Sequence, residues 1–494
     1  PTSTSPTSKG KPSHMNQPSP PPLPSSGGSV TVKLIVMALL VLGLLVLTAP
    51  LFFIIDEREQ RREDVTREIS SKWGMDQTVI GPMLTIPFEV EVVTRVNNKP
   101  VTTRQIQYLH VMPENLEING SVSPETKYRG IYESVVYKSR LRVSGTFAPP
   151  QWEVAGVSES KVLKDKAWLT IGISDVRGIR ENSRVRLGDR ELEPLPGLPT
   201  QEVIATGIKA LVDLSEMNAT TSFEIDLLLD GSSTLAFSPI GKTTAVSIES
   251  PWASPSFDGA FLPQHRKVTE EGFEANWKVL HLNRAISQSW TGSATSSTDH
   301  EGHDYKWHGD RPGGLTDSLA GPSNILGDSA FGVRFYLPTD VYQKTTRMAK
   351  YAILFLGFAF AAFFFSEILH KARVHPIQYL LVGFAILVFY LLLLSLSEHF
   401  GFDRAYLAST TAVILLISGY AQAILRSLRL GITVGAVLAL LYGYLYVILQ
   451  LESYALLMGS VGLFATLAAA MYFTRKIDWY AIRLNQKGTT TQDD

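Results

Sequence analysis

Six apolar runs mark the 494-residue chain, at 34–55, 351–369, 377–396, 406–425, 430–449 and 454–473. Each is close to the ~20 residues that a helix, rising ~1.5 Å per residue, needs to cross a hydrocarbon layer of ~30 Å. Lipid offers backbone amides no water, so runs of this length must satisfy their own hydrogen bonds and are expected to be helical. The pattern predicts an integral membrane α-helical protein with six transmembrane helices, one near the N-terminus and five crowded into a bundle at 351–476. The first run is longer than the ~7–15 residues of a signal-peptide core and no A-x-A site follows it, which favours an uncleaved anchor spanning 33–55.

Between the first two runs the sequence changes character. Residues 56–71 (DEREQRREDVTREISS) combine helix formers with opposite charges three or four apart, the pattern of an exposed helical stalk. Beyond it the period becomes two: 90–93, 105–111, 139–143 and 223–227 alternate polar with apolar or carry β-branched residues, with Gly, Pro and Asn between them. A large β-rich domain over 56–350 follows, read as a sandwich of antiparallel sheets. Its size allows one unit or two of ~150 residues, with a proline-marked seam near 151–199 as the place to divide it. No internal repeat is evident. Residues 1–32, rich in Pro, Ser, Thr and Gly, have too few large apolar side chains to pack and read as a disordered cytoplasmic tail. A second tail covers 477–494.

Lysine and arginine beside the spans set the expected orientation, because basic residues stay on the cytoplasmic side. Lys9, Lys11 and Lys33 put the N-terminus inside; Lys371 and Arg373, Arg426 and Arg429, and Arg475, Lys476, Arg483 and Lys487 then all fall on the same side. The opposite turns carry Glu398, Asp403 and Arg404 in one case and Glu452 in the other. Both termini are thus expected in the cytoplasm and the β-rich domain in the periplasm. Arg58, Arg61, Arg62, Arg347 and Lys350 run against the rule, from which long translocated domains are largely exempt. A formal net charge of −1 gives no reason to expect nucleic acid as a partner, and the absence of cysteine excludes disulfides and thiolate metal sites.

Candidate chemistry is sparse. Charges at membrane depth are the best functional pointers, which singles out Glu367 and Glu398. Their expected depths, near opposite faces, argue against a pair; Lys371, four residues after Glu367, supplies an interfacial ion partner in the favourable order. His300, His303 and His308 lie among Asp299, Glu301, Asp304 and Asp310, a mixture able to ligate a divalent metal. Their Ser/Gly-rich setting lacks the rigid support that a site needs, so no metal and no cofactor is assigned. The segment 236–243 approaches a phosphate loop, but its first position is Ala236 and Pro239 interrupts it; a turn accounts for it better. Asp175, His110 and His281 have the residue types of a hydrolase without a motif, and no catalytic residue is assigned. Gly431 with Gly435 and Gly459 with Gly462 would let helices approach closely, while Gln378, Gln422, Gln450, Trp479 and Tyr480 suit the membrane interface.

These parts and several specific segments resemble the CreD family of bacterial inner-membrane proteins, also described as cell envelope integrity proteins. The segments include His375-Pro376 followed by 378–383, Leu396-Ser397-Glu398-His399 with Gly401-Phe402, and Ile477-Asp478-Trp479-Tyr480. In the soluble part they include Gly81-Pro82 with Ile86-Pro87, Asp175-Val176-Arg177-Gly178-Ile179, and Phe261-Leu262-Pro263. The resemblance covers about 34–480 and implies location in a Gram-negative inner membrane, control by a two-component sensor, and a role in envelope maintenance, stress and β-lactam responses. It carries no catalytic residues. The expected function is binding of an envelope component or membrane protein by the periplasmic domain; a transporter or flippase with its path through the five-helix bundle is the alternative. The lipid bilayer is the one partner that composition names, and the oligomeric state is left open.

Overall fold

The computed structural model describes residues 30–96, 99–180, 183–201, 203–217, 219–284, 286–292, 325–335, 337, 341–370, 374–451 and 454–475. The chain forms two compact units. One contains the apolar helices; the other comprises Phe53–Thr345 with Leu394–Arg404.

Two sheets build the second unit. Among the described residues, the first has nine strands: β1 (Gln77–Val96), β2 (Lys99–Val111), β5 (Ala167–Ile173), β8 (Leu195–Pro196), β9 (Gly207–Val212), β11 (Thr234–Phe237), β13 (Pro255–Gly259), β16 (Ser289–Thr291) and β17 (Phe331–Phe335). They run β13-β17-β11-β1-β5-β9-β8, with β2 on β1 and β16 on β2. The second has eight: β3 (Asn115–Arg129), β4 (Tyr132–Phe147), β6 (Arg184–Leu187), β7 (Arg190–Leu192), β10 (Thr221–Ser232), β12 (Thr243–Ser250), β14 (His265–Thr269) and β15 (Gly272–Leu280). Their order is β14-β15-β12-β3-β4-β10-β6-β7. Pairing is antiparallel except β1 with β11 and β3 with β12. The four segments with period two all lie in strands, within β1, β2, β4 and β10. Residues 151–199 supply β5 and β8 to one sheet and β6 and β7 to the other.

Alternation fixes which way each strand faces. In β3, Leu116, Ile118 and Val122 point inward while Glu117, Asn119 and Ser121 face water. A one-residue slip would exchange the two sets, so the register is strongly specified. Inward residues of both sheets share one core, including Leu84, Ile86, Leu169 and Ile173 from the first and Ile118, Leu141, Leu227 and Trp277 from the second. Burying each such side chain contributes about 1.5–3 kcal/mol. The Gly81-Pro82 segment interrupts the β1–β5 ladder, where the register shifts between Ile80 and Met83. Proline has no N–H to give a neighbour. Gly81, at φ +136°, lies where a Cβ would come 3.0 Å from the Thr170 carbonyl oxygen.

The helices are α1 (Val30–Val46), α2 (Ala49–Trp73), the short α3 (Ile325–Asp328), α4 (Val341–Lys350), α5 (Ala352–His370), α6 (Pro376–Phe400), α7 (Phe402–Leu425), α8 (Leu428–Gln450) and α9 (Ala455–Thr474). Ile35–Trp73, Pro376–Phe400, Phe402–Leu425 and Leu428–Gln450 are long and apolar enough to cross a membrane. The first of these is irregular at Leu47 and Thr48, because Pro50 has no N–H for the carbonyl of Val46. The helices α5 and α9 carry the second and sixth apolar runs over 19 and 20 residues. The helix α6 outlasts its apolar run, and the expected polar turn shrinks to Gly401, whose φ of +78° ends one helix one residue before the next begins. The helix α4 was not anticipated from the period-two pattern; its Tyr342, Thr345, Met348 and Ala349 are buried at helical spacing and Lys350 is exposed.

Close packing of helices uses some of the expected glycines and not others. A Cβ on Gly431 would approach Gln422 Cβ to 2.8 Å and the Ser418 carbonyl oxygen to 3.0 Å, and one on Gly435 would approach Ser418 Oγ to 2.5 Å. On Gly462 it would meet the Tyr444 ring, whereas at Gly459 nothing among the described residues lies within 4 Å. Replacing Gly431 by valine should therefore destabilise the purified protein by about 1–3 kcal/mol through overpacking. The same change at Gly443, which has open space around it, should leave the melting temperature in detergent within a degree or two; equal effects at the two positions would contradict this packing.

Candidate functional site

Glu398 lies on the last turn of α6, two residues beyond the apolar run, and its side chain is only 8% exposed. A carboxylate removed from water needs partners. The Tyr342 hydroxyl donates to its Oε1 at 3.1 Å, and Arg58 Nη1 lies 3.7 Å from Oε2. The Tyr132 hydroxyl and then the Glu398 carboxylate hold the Arg58 guanidinium above its ordinary pKa. Burial, reinforced by Glu398, pushes the Tyr342 phenol up. One turn beyond Arg58 on α2, the Arg62 guanidinium stands 5.8 Å from the Tyr342 ring centre, a cation–π arrangement.

Glu398, Tyr342, Tyr132 and Arg62 border a cavity of about 450 Å³. Arg62 and Thr66 of α2 form one wall. Ile131 and the first residues of β4, Tyr132 to Val135, form another. Ser233, Arg334, Phe335 and Leu337 close a third side, and Tyr342, Ser397, Glu398 and Gly401 complete it. Two guanidiniums and two carboxylates, Arg62, Arg334, Glu133 and Glu398, line it beside apolar Ile131, Val135, Phe335 and Leu337. Outside the lining, Arg334 Nε lies 3.4 Å from Asp258 Oδ2. Burial pushes the Asp76 carboxyl up to about 6, against the opposing pull of Arg334 and Thr234.

The other sequence candidates separate. Asp175 is a structural acceptor, taking hydrogen bonds from the Met75 and Arg177 backbone N–H groups and from Arg177 Nε and Nη2 at 2.8 Å each. His110 is buried in the first sheet with Nδ1 3.3 Å from Thr85 Oγ1 and its ring 5.3 Å from Trp290. His281 lies at the surface beside the Lys242 carbonyl. In the expected turn, the Gly241 N–H donates to Thr244 Oγ1 at 3.0 Å and Lys242 pairs with Glu114, so neither group is arranged for phosphate. Glu367 falls in α5, but its side chain and Lys371 lie outside the described residues, as do His300, His303 and His308. Among the described residues no group of three or more His, Cys, Asp or Glu is placed to hold a metal. The cavity residues missed from sequence alone were Tyr132, Glu133, Arg334 and Tyr342, which come from strand ends and a helix far apart in the chain. A clue existed in Arg58 and Arg62, which run against the charge rule in the expected orientation.

Long apolar helices continuous in chain with a two-sheet β unit define an integral membrane protein that carries a large domain in water. Residues 29–480 match the profile of the family described as inner membrane protein CreD. Inner membrane protein CreD of Escherichia coli (strain K12) is 31% identical over 466 residues, covering 92% of this chain and 96% of that protein. The chain belongs to the CreD family of inner membrane proteins.

Two outcomes follow for the candidates that lie away from the site. Burial holds His110 at about 4, below the ~6.5 of an unfolded imidazole. Between these values the unfolded chain binds a proton that the folded one does not, so this contribution is complete above pH ~6.5 and is lost as pH falls. Thermal unfolding of wild type and His110→Phe between pH 7 and 5 should show wild type losing about 2 kcal/mol relative to the variant; a constant difference would contradict the neutral buried imidazole. Asp175→Ala should cost about 3 kcal/mol, because it removes a carboxylate that satisfies several donors at once.

Proposed function

We propose that this protein maintains the cell envelope from the inner membrane, with six helices in the bilayer, both termini in the cytoplasm, and a periplasmic β domain over 56–350 that binds an envelope component in the cavity beside Glu398. The relative's printed description supports the membrane assignment. The observation that carries the binding role is the cavity itself, a concavity of about 450 Å³ with a few convergent charges on a partly apolar wall, the usual form of a small-molecule site. Glu398 supports a binding role better than a transport path. It lies past the apolar run and is held by Arg58 and Tyr342, whereas a carrier group in mid-helix would sit inside the run. The envelope role that the resemblance implies fits a domain that senses or retains an envelope molecule.

The test is complementation in a strain lacking its own CreD protein, scored as sensitivity to detergent and β-lactam. Ile131→Trp places a large ring in the cavity at a position already 40% exposed, so folding should tolerate it. At wild-type abundance this variant should lose complementation, and full complementation would remove the cavity from the function. Glu398→Gln at normal abundance should reduce complementation only partly, since the amide still accepts from Tyr342.

A further inference from the structure

We propose that the cavity binds the headgroup of a zwitterionic membrane phospholipid, a phosphate joined to a primary ammonium as in phosphoethanolamine. This rests on the reading of the cavity as the binding site and names its ligand class. Charge comes first. The lining carries Arg62 and Arg334 against Glu133 and Glu398, and just outside it Arg58 faces Glu398 and Asp258 faces Arg334, so formal charge balances before any ligand enters. A ligand carrying only negative charge gains two guanidiniums but also brings that charge beside two carboxylates, one of them, Glu398, almost out of water. A zwitterion avoids that conflict. Its phosphate suits the forked donors of arginine, and its ammonium, a compact three-donor cation, suits a carboxylate.

Depth points the same way. Glu398 is two residues past the apolar run of α6, about 3 Å along the helix, and Arg62 is seven residues past the end of the first run, about 10 Å. The interfacial layer outside the hydrocarbon is about 5–8 Å thick on each side. Glu398 therefore falls within that layer and Arg62 just beyond its outer edge. Ile131, Val135, Phe335 and Leu337 give the cavity an apolar side on which a glycerol backbone and the first acyl carbons can rest. The volume of about 450 Å³ lies within the ~300–1,000 Å³ of ligand cavities.

The experiment uses the full chain purified in maltoside micelles, with glycerophosphoethanolamine as a soluble probe in calorimetry. Wild type should bind it saturably. Glycerophosphoglycerol and inorganic phosphate should each bind at least tenfold more weakly, as should glycerophosphoethanolamine to Arg62→Ala and to Glu133→Gln. No saturable heat with wild type, equal binding of inorganic phosphate or glycerophosphoglycerol, or unchanged affinity in both variants would overturn the proposal. Should Arg62→Ala lower the melting temperature, Glu133→Gln, an isosteric change, carries the comparison. A second arm separates lipid from free headgroup. Native mass spectrometry of protein released from mixed bilayers should show phosphatidylethanolamine retained over phosphatidylglycerol by wild type and this preference lost in Glu133→Gln; retention in proportion to the bilayer composition would overturn it. If Ile131→Trp abolishes complementation while glycerophosphoethanolamine fails to bind, the functional reading stands and the headgroup assignment falls.

Discussion

The carboxylate of Asp175 accepts four hydrogen bonds, from the Met75 and Arg177 backbone N–H groups and from Arg177 Nε and Nη2, and the order of the β unit depends on the knot around it. Arg177 reaches on to donate to the Ser71 carbonyl at 2.9 Å, on the last turns of α2. Gln77, the first residue of β1, donates to the Asp175 and Asp230 carbonyls. Asp230 belongs to β10 of the other sheet and pairs with Arg180 through Oδ2. One cluster thus joins a helix that starts in an apolar run to both layers of the sandwich. Gly178 and Gly74 make the approach possible: a Cβ on either would fall 2.1 Å and 2.7 Å, respectively, from the Asp230 carbonyl oxygen. The Trp73 indole donates to the Tyr137 carbonyl at 3.3 Å, and Lys127, Lys138 and Arg180 stand around its ring. The start of β1 cannot turn without breaking the buried hydrogen bonds of Gln77.

A second joint, less polar and more open, lies at Glu398. The Arg58 pair links α2 to the end of α6, and Tyr342 brings α4 to the same carboxylate. Exposed ion pairs contribute little. This one differs because one partner is nearly buried while Arg58 is 43% exposed, so its main effect is to make a charge tolerable where α6 leaves its apolar run. The arrangement also gives the arginines beside the first apolar run a structural role of their own. Arg58 and Arg62 serve Glu398 and Tyr342, and their positions are set by those partners more than by topology.

Much of the architecture was legible because its signals are local. Apolar length gives the helices, and period two gives strands such as β4, where Ser139, Leu141 and Val143 are buried and Arg140 and Arg142 exposed. Gly431 and Gly435 read correctly as close-contact positions, since their neighbours Ser418 and Gln422 are on the preceding helix. Gly459 did not, because spacing cannot say which face of a helix meets a partner. Glu398 was visible as a charge next to lipid, but its cavity was not. Tyr132 comes from β4 of the second sheet, Arg334 from β17 of the first and Tyr342 from α4, over two hundred residues from Tyr132 in the chain, and no periodicity records that. The helix α4 was hidden for another reason: its ten residues are too few and too polar to stand out against the strands before it and the apolar run after it.

The account rests on the β unit and the α7–α8 turn occupying opposite sides of the inner membrane, and the absence of cysteine makes this directly measurable. Single cysteines at Glu270, in the exposed turn between β14 and β15, and at Arg429, at the start of α8, can be challenged with a membrane-impermeant maleimide in intact spheroplasts. The account predicts labelling at 270 without lysis and at 429 only after lysis. The reverse pattern, or labelling of both before lysis, would contradict it.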